Sequence, residues 1–215
     1  MRTLFIGQTY IDVTFLTDRM PTGDEKHRDD DYLDPFPRVN LFGCRALHLD
    51  GHQPDAAMYH AKVARETGIL TSLDGGGLRS NTHELLAFID IAIVSERLCE
   101  QMRLDPARML DYLKSRGCRI GGVTLGERGL VWYDETGVAR TLPALAVPPN
   151  RVPDTSGAGD AFHGAYVYSY LADAAKSWEE HFRFARAAST YKIQHLGNEA
   201  GLPTLADIWP QLGRS

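Results

Sequence analysis

The sequence predicts an α/β protein with a doubly wound, mostly parallel sheet and helices on both of its faces. Short apolar runs alternate along the chain with longer segments in which apolar residues recur at helical spacing. This alternation is typical of strands joined by helical crossovers, which produce a parallel sheet. The chain has 215 residues, 43% of them hydrophobic, which is enough for one sizeable core. We therefore predict a single domain over residues 1–215.

The strands are predicted from short apolar runs that end at glycine, proline or polar residues. These runs cover residues 4–7, 10–16, 46–49, 69–73, 89–94, 119–125 and 130–133. The segment 17–37 is different, because it is rich in Asp, Arg, Pro and Gly and has almost no apolar periodicity. We predict a loop there.

The helices are predicted from caps and from apolar residues at helical spacing. Pro54 opens the first, in which alanines recur at positions 57, 61 and 64. Asn81, with Glu84 three residues later, resembles a capping box for a short helix. Asp105 and Pro106 predict a capped helix that stops at residue 117. Two more helices follow residue 149, the first beginning near 157. The second carries on one face Phe184, Ala187, Ala188 and Tyr191.

Composition argues against several classes of protein. Charged residues of both signs are interspersed and the formal net charge is −5, so the sequence lacks the basic face of a nucleic-acid-binding protein. No apolar run reaches the length of a signal peptide or a transmembrane helix. Cys44, Cys99 and Cys118 form no Cys-x-x-Cys pair, which favours a reduced compartment. We expect a cytoplasmic protein that binds neither nucleic acid nor membrane.

The most informative segment is Asp154-Thr-Ser-Gly-Ala-Gly-Asp160, where a loop turns into a helix. Small residues let a ligand approach the backbone, and first-turn N–H groups form an anion hole suited to a phosphoryl group. Asp160 follows in the first turn, where it can accept a proton from an attacking hydroxyl. No Lys follows the glycines, so this is not a Walker A loop. On spacing alone, a glycine-rich helix start with a favourable acidic residue explains the segment equally well.

A resemblance supports the catalytic interpretation. Asp154 to Asp160 resembles the D-T-x-G-A-G-D signature of the ribokinase-like (PfkB) carbohydrate kinases, and three other segments agree in the same order. These are Gly7-Gln-Thr-Tyr-Ile-Asp12, Val123-Thr-Leu-Gly-Glu-Arg-Gly129 and Gly197-Asn-Glu-Ala-Gly-Leu-Pro203. The resemblance covers nearly all of 40–208 and the first 26 residues. It implies a ribokinase-like fold and transfer of the ATP γ-phosphate to a hydroxyl of a sugar or sugar acid.

The resemblance also implies roles at matching positions. Asp160 would be the general base, with an anion hole at Gly157, Ala158 and Gly159. The ATP site would be lined by Thr124, Gly126, Gly129, Asn198 and Gly201. Asp12 would hydrogen-bond the sugar. Mg²⁺ would accompany ATP, and a K⁺ site would be bordered by Asp154, Ser156 and the loop from Asn198 to Gly201.

Two segments depart from the family pattern. The family has N-x-x-E near residue 100 to hold Mg²⁺ through water, whereas this chain offers only Glu96, which is equally well explained as a first-turn helix carboxylate. The family also has a sugar-binding segment and a lid after its first strands, but here His27 runs directly into Arg28. Either this form has lost an internal segment near 27–28 or the sequence omits one. If the loss is real, the lid is absent or truncated and half of the sugar site is missing. The resemblance makes a homodimer one possible state, because related proteins often pair through that lid.

Two alternatives to a sugar kinase remain at this point. One is a nucleoside or vitamin kinase of the same fold, and the other is a catalytically impaired nucleotide-binding relative. Asp50 and His52 follow a predicted strand at the end where α/β proteins place ligands, which makes them weaker candidates for substrate contact.

Overall fold

A computed structural model describes residues 3–6, 40, 41 and 43–213, and it centres on a seven-stranded sheet. The strands lie side by side in chain order: β1 (Thr3–Ile6), β2 (Ala46–Leu49), β3 (Leu70–Gly75), β4 (Ile91–Ser95), β5 (Ile120–Thr124), β6 (Leu130–Tyr133) and β7 (Arg140–Leu142). β1 to β5 are parallel, whereas β6 and β7 are antiparallel to their neighbours. The predicted open, mostly parallel sheet is confirmed.

Eight α-helices occur in the described part of the chain: α1 (Pro54–Glu66), α2 (Thr82–Leu85), α3 (Glu96–Met102), α4 (Pro106–Ser115), α5 (Ala158–Ala172), α6 (Trp178–Lys192), α7 (Asn198–Gly201) and α8 (Leu205–Leu212). The alanines at 57, 61 and 64 are buried on α1, as the helical spacing predicts. Phe184, Ala187 and Ala188 are buried on α6.

The core consists of two layers, one on each face of the sheet. The alternation of side chains along β4 explains this division, because successive residues of a strand point to opposite faces. Ala92 and Val94 join a cluster formed with α1, α3 and α4. Ile91 and Ile93 join a second cluster, formed with α5 and α6. Helices therefore cover both faces of the sheet, as predicted.

Two local predictions about helix starts have opposite outcomes. Asp105 is extended (φ −76°, ψ 165°) and its carboxylate accepts a hydrogen bond from the Arg108 amide at 2.8 Å, so the predicted cap is confirmed. The predicted capping box at Asn81 is wrong. Asn81 is itself helical (φ −95°, ψ −2°) and its side chain makes no capping hydrogen bond, since a cap requires extended backbone at that position.

The antiparallel end of the sheet was not predicted. The connection between β5 and β6, residues 125–129, is too short for a crossover, so β6 must reverse direction. β7 follows as an outer strand of three residues. The predicted strand at 10–16, the loop at 17–37 and the junction at 27–28 lie outside the described residues.

Candidate active site

The carboxyl ends of β2 to β5 meet at one edge of the sheet, as parallel strands require. Polar residues follow at each end. Asp50 comes after β2 and accepts a hydrogen bond from the His52 amide at 2.9 Å, and the Arg79 side chain contacts the His52 ring. Glu96 opens α3 directly after β4, and Thr124 ends β5. This edge is where the described residues concentrate groups able to bind a ligand.

The start of α5 leaves backbone donors open. Gly157 has φ +70°, a left-handed conformation suited to glycine, and precedes the first helical residue. The Ala158 amide donates to the Thr155 carbonyl at 3.2 Å. The amides of Gly159 and Asp160 make no backbone hydrogen bond to any described residue. Both residues are exposed, so two first-turn donors and one carboxylate face solvent together.

A cleft of about 920 Å³ reaches this turn. It brings together five of the residues predicted for ATP and phosphate binding: Thr124, Gly126, Gly129, Ala158 and Gly159. A Cβ atom built on Gly159 would meet no atom within 4 Å, so the backbone there stays open to an incoming group. The walls of the cleft are largely apolar, with Leu130, Leu142, Leu145, Val147, Val152 and Phe162. An apolar slot that ends at unpaired amides suits a ligand with a flat ring and a phosphate chain.

The loop 125–129 is fixed by its glycines. Gly129 has φ +90°, and a Cβ atom there would collide with the Leu142 carbonyl oxygen and lie 2.6 Å from the Ala144 nitrogen. Any larger residue would therefore push the loop away from the end of β7. The Thr124 hydroxyl donates to the Val94 carbonyl at 3.3 Å, which ties the loop to β4. Glu96 forms an ion pair with Arg128 of the same loop.

Asp154 joins the turn before α5 to a later loop. One carboxylate oxygen accepts the Ser156 amide at 2.8 Å, and the other accepts the Gly197 amide at 3.0 Å. The second oxygen also lies 3.4 Å from the ammonium of Lys192. Hydrogen bonds from Ser156 chiefly, then from Gly197, with the charge of Lys192, lower the pKa of the Asp154 carboxyl to about 2. Asp154 is therefore an ionised link between the two loops.

These elements are matched by a known family over residues 5–205, described as the pfkB family carbohydrate kinases. The chain belongs to this family. Ribokinase from Lactococcus lactis is 29% identical over 161 residues, which is 75% of this chain and 50% of the relative. Ribokinase from Haemophilus influenzae is 26% identical and aligns over 67% of this chain and 47% of its own length. The chain thus spans about half the length of the curated relatives it matches.

Solved structures agree on the fold. The structure of Arabidopsis thaliana ribokinase complexed with ribose and ATP has a TM-score of 0.67 at 27% identity, covering 80% of this chain and 57% of that one. A putative ribokinase II from E. coli in complex with ATP and Mg²⁺ has a TM-score of 0.68 at 21% identity, covering 80% and 59%. The ribokinase-like fold predicted from the sequence is confirmed.

Three further predicted site residues, Asp154, Ser156 and Gly201, are not among the residues that line the cleft. Asp154 and Ser156 lie in the turn before α5, where the Asp154 carboxylate accepts a hydrogen bond from the Ser156 amide. Gly201 ends α7 and contacts Lys192, and Asn198 begins α7, with its side chain outside the described part of the structure. Asp12 also lies outside the described residues.

Sequence reasoning missed a buried polar chain beneath α5. The Tyr166 hydroxyl lies 2.6 Å from Ser72 Oγ and 3.1 Å from His163 Nδ1, and His48 Nδ1 lies 3.0 Å from the same Ser72 oxygen. The other nitrogen of His163 lies 3.5 Å from the Asp74 carboxylate, at the end of β3. Burial lowers the pKa of His48 to about 3 and of His163 to about 4, and burial raises that of Asp74. The spacing of His163 and Tyr166 on one helix face was the only signal for this chain of contacts.

The cleft contains three further polar residues that no motif identified: Arg186, Ser189 and Thr190. They come from α6, and only the folded chain brings them opposite the loop 125–129. Within the described residues no group of three or more His, Cys, Asp or Glu side chains is placed to hold a metal ion. None of the described helices is both long and apolar enough to cross a membrane.

Proposed function

We propose that the chain is an ATP-dependent phosphotransferase that moves the γ-phosphate to a hydroxyl of a sugar or sugar acid. The observation that carries this proposal is the continuity of the cleft with the first turn of α5. The cleft lining includes Gly159, whose amide is unpaired among the described residues, and the exposed carboxylate of Asp160 follows it. A donor phosphate and an acceptor hydroxyl would meet at this turn. A cytoplasmic location remains a prediction.

ATP would occupy the cleft with its base among the apolar walls and its phosphates directed towards the turn. Thr124, Gly126 and Gly129 would border the nucleotide from the side of β5. The Gly159 and Asp160 amides would donate to the transferring phosphoryl oxygens, with the positive end of the α5 dipole behind them. Such donors stabilise the charge that the phosphoryl group carries in the transition state.

Asp160 would accept the proton of the attacking hydroxyl. Its position, one residue after Gly159 in the first turn of α5, places a carboxylate beside the donors for the phosphate. The proton moves from the acceptor hydroxyl to the Asp160 carboxylate as the oxygen attacks phosphorus, and ADP leaves. Base assistance of this kind contributes about 10²- to 10⁴-fold to rate.

Mg²⁺ would neutralise charge on the phosphates of ATP. The ion usually keeps several waters and takes one or two protein carboxylates besides the phosphates, so no ligand cluster is needed. Glu96, at the carboxyl end of β4, is the carboxylate that the family resemblance implies for this role. Its ion pair with Arg128 would have to be shared or opened when the nucleotide binds.

A nucleoside is the second candidate acceptor. A cytidine kinase from Thermococcus kodakarensis is 32% identical over 98 residues, which is 43% of this chain. Sugars and nucleosides both present a hydroxyl for transfer, and the part of the protein expected to read the acceptor, including Asp12, lies outside the described residues. A panel of acceptors therefore has to contain both classes.

The proposal is tested by ADP release from ATP and Mg²⁺ with ribose, fructose and cytidine as acceptors. We expect acceptor-dependent turnover, and Asp160→Asn should lower kcat by about 10²- to 10⁴-fold with little change in KM for ATP. Asp173→Asn, at the other end of α5, is the matched control and should keep the parent rate. Parent-level turnover by Asp160→Asn would place the base elsewhere. Nucleotide binding without turnover on any acceptor would favour the impaired relative instead.

A further inference from the structure

The last residue of α6, Lys192, carries a buried ammonium group. Its side chain is only 2% exposed, and its Nζ lies 3.4 Å from Asp154 Oδ2. A lysine is almost never buried to this degree unless its charge is compensated. Two sources of compensation are present here: the Asp154 carboxylate and the carbonyl end of α6, where the helix dipole is negative.

The loop that follows α6 is built around this side chain. A Cβ atom on Gly201 would collide with Lys192 Cδ and lie 2.9 Å from Cε and 3.2 Å from Nζ. Any side chain at position 201 would therefore displace the Lys192 side chain, which occupies the space beside Gly201. The Gly197 amide closes the same loop onto Asp154 at 3.0 Å. We call this group of Asp154, Lys192, Gly197 and Gly201 the lysine pocket.

The lysine pocket coincides with the position at which the family resemblance implies a K⁺ ion. That ion would lie between Asp154, Ser156 and the loop 198–201, and it would need oxygen ligands and negative charge. The Asp154 carboxylate is already held by two backbone amides and the Lys192 ammonium. A second cation placed among these groups would meet the lysine charge at close range, where like charges repel strongly. The residues present do not fit a K⁺ ion.

We propose that Lys192 is a built-in cation that replaces the monovalent ion at this site. Its ammonium holds Asp154 against the loop 197–201. Because Asp154 also bonds the Ser156 amide, the turn that leads into Gly157 and Gly159 is held in place as well. Lys192 is thus a positioning residue for the phosphate-binding turn, and the protein should need no K⁺ for its stability or for nucleotide binding. The location of the cation site comes from the family resemblance and the phosphate-binding role of the turn comes from the proposed function, whereas the stability test below does not depend on catalysis.

The test compares the unfolding temperature of the unaltered protein in KCl, NaCl and choline chloride at equal ionic strength. We expect the same Tm in all three salts, and the same affinity for a non-hydrolysable ATP analogue. A saturable rise in Tm that is specific to K⁺ would overturn the proposal without any variant being made. Failure of the analogue to bind in every salt, with Tm independent of K⁺, would count against the kinase proposal and leave this one standing.

Two variants separate a cation substitute from an ordinary ion pair. Lys192→Met keeps the length of the side chain beside Gly201 but removes the charge, so Tm should fall by roughly 6–20 °C and should not respond to K⁺. Lys192→Ala removes the charge and leaves room next to Asp154, so part of its lost stability should return with K⁺ but not with choline. If Lys192→Ala showed no K⁺ response, the ammonium would be a structural ion pair only, and the proposal would be wrong.

Discussion

Gly159 and Gly201 belong to two glycine-rich segments that the sequence predicts to bind ligand, but their surroundings differ. A methyl group at Gly159 would enter open space, with no atom within 4 Å. A methyl group at Gly201 would collide with the buried side chain of Lys192. The first glycine keeps room for a molecule from outside, whereas the second makes room for the chain's own side chain. The same residue type in a motif therefore borders open space at one site and a packed side chain at the other.

The largest effect on stability is expected at Gly129, which belongs to a third predicted ligand-binding segment. The space beside Gly129 is occupied by backbone atoms rather than by a side chain. Gly129→Ala adds a methyl group against Leu142 and Ala144 and forces a non-glycine residue to φ +90°. Clash and strain together should cost about 2–6 kcal/mol in the free energy of unfolding, measured with urea. Gly137→Ala is the control, because it has φ +71° but no atom within 4 Å. Equal losses at the two positions would mean that strain alone matters.

The next largest effect on stability is expected from pH, through His163, which is buried one turn after the exposed first turn of α5. The pKa of His163 is about 4 and that of His48 about 3 in the folded protein, against 6.5 in the unfolded chain. The unfolded state therefore binds more protons as pH falls below about 6.5, and stability is lost between that pH and about 4. We expect a loss of about 2–4 kcal/mol between pH 6.5 and 4.5 by urea unfolding.

The groups that face His163 are His48, Asp74 and Asp160, and Tyr166 contacts its ring nitrogen. His163→Gln should reduce the number of protons taken up on unfolding by up to one. The free energy of unfolding should therefore depend less steeply on pH. An unchanged slope in this variant would assign the effect to other groups.

A smaller loss of stability is expected when Gly201, the glycine that packs against Lys192, is changed. Gly201→Ala forces the Lys192 side chain to move and should cost about 1–3 kcal/mol. Adding Lys192→Ala removes the side chain that the new methyl group meets, so the two losses should be far from additive in a double-mutant cycle. Additive losses would show that Gly201 is constrained by something other than Lys192.

The smallest effect on stability is expected at Gly159, the glycine that borders open space. Gly159 lies inside the first turn of α5 and is not in a left-handed conformation. Gly159→Ala should therefore leave stability unchanged or raise it by up to about 1 kcal/mol, since alanine favours helix. Affinity for an ATP analogue should fall in the same variant, because Gly159 lines the cleft and a methyl group there would take up open space. Opposite signs for stability and affinity distinguish this glycine from Gly129 and Gly201.

The sequence predicted those parts of the molecule that local pattern determines. The alanine spacing of α1, the apolar runs of the central strands and the segment from Asp154 to Asp160 are all local signals, and the predicted elements were found. The Asn81 cap failed because capping depends on backbone conformation as well as on residue type. β7 was missed because three residues have no periodicity of their own, and only pairing with β6 defines the strand.

The lysine pocket was beyond sequence reasoning for a similar reason. Lys192 lies 38 residues from Asp154 along the chain, and a lysine at a helix end is ordinarily read as a solvated residue. The cleft residues from α6 were missed because only the folded chain places them on the same cleft as the loop 125–129. Motifs identified single segments, whereas the site is formed where those segments meet.

The central claim is that the cleft ending at Gly159 binds ATP, and calorimetry tests it most directly. A non-hydrolysable ATP analogue with Mg²⁺, titrated into the unaltered protein, should give saturable binding at one site. Gly159→Val should abolish or greatly weaken the binding while the protein remains folded, because its side chain would occupy the space beside the phosphate-binding amides. Absence of any binding to the unaltered, folded protein at millimolar nucleotide would contradict the account.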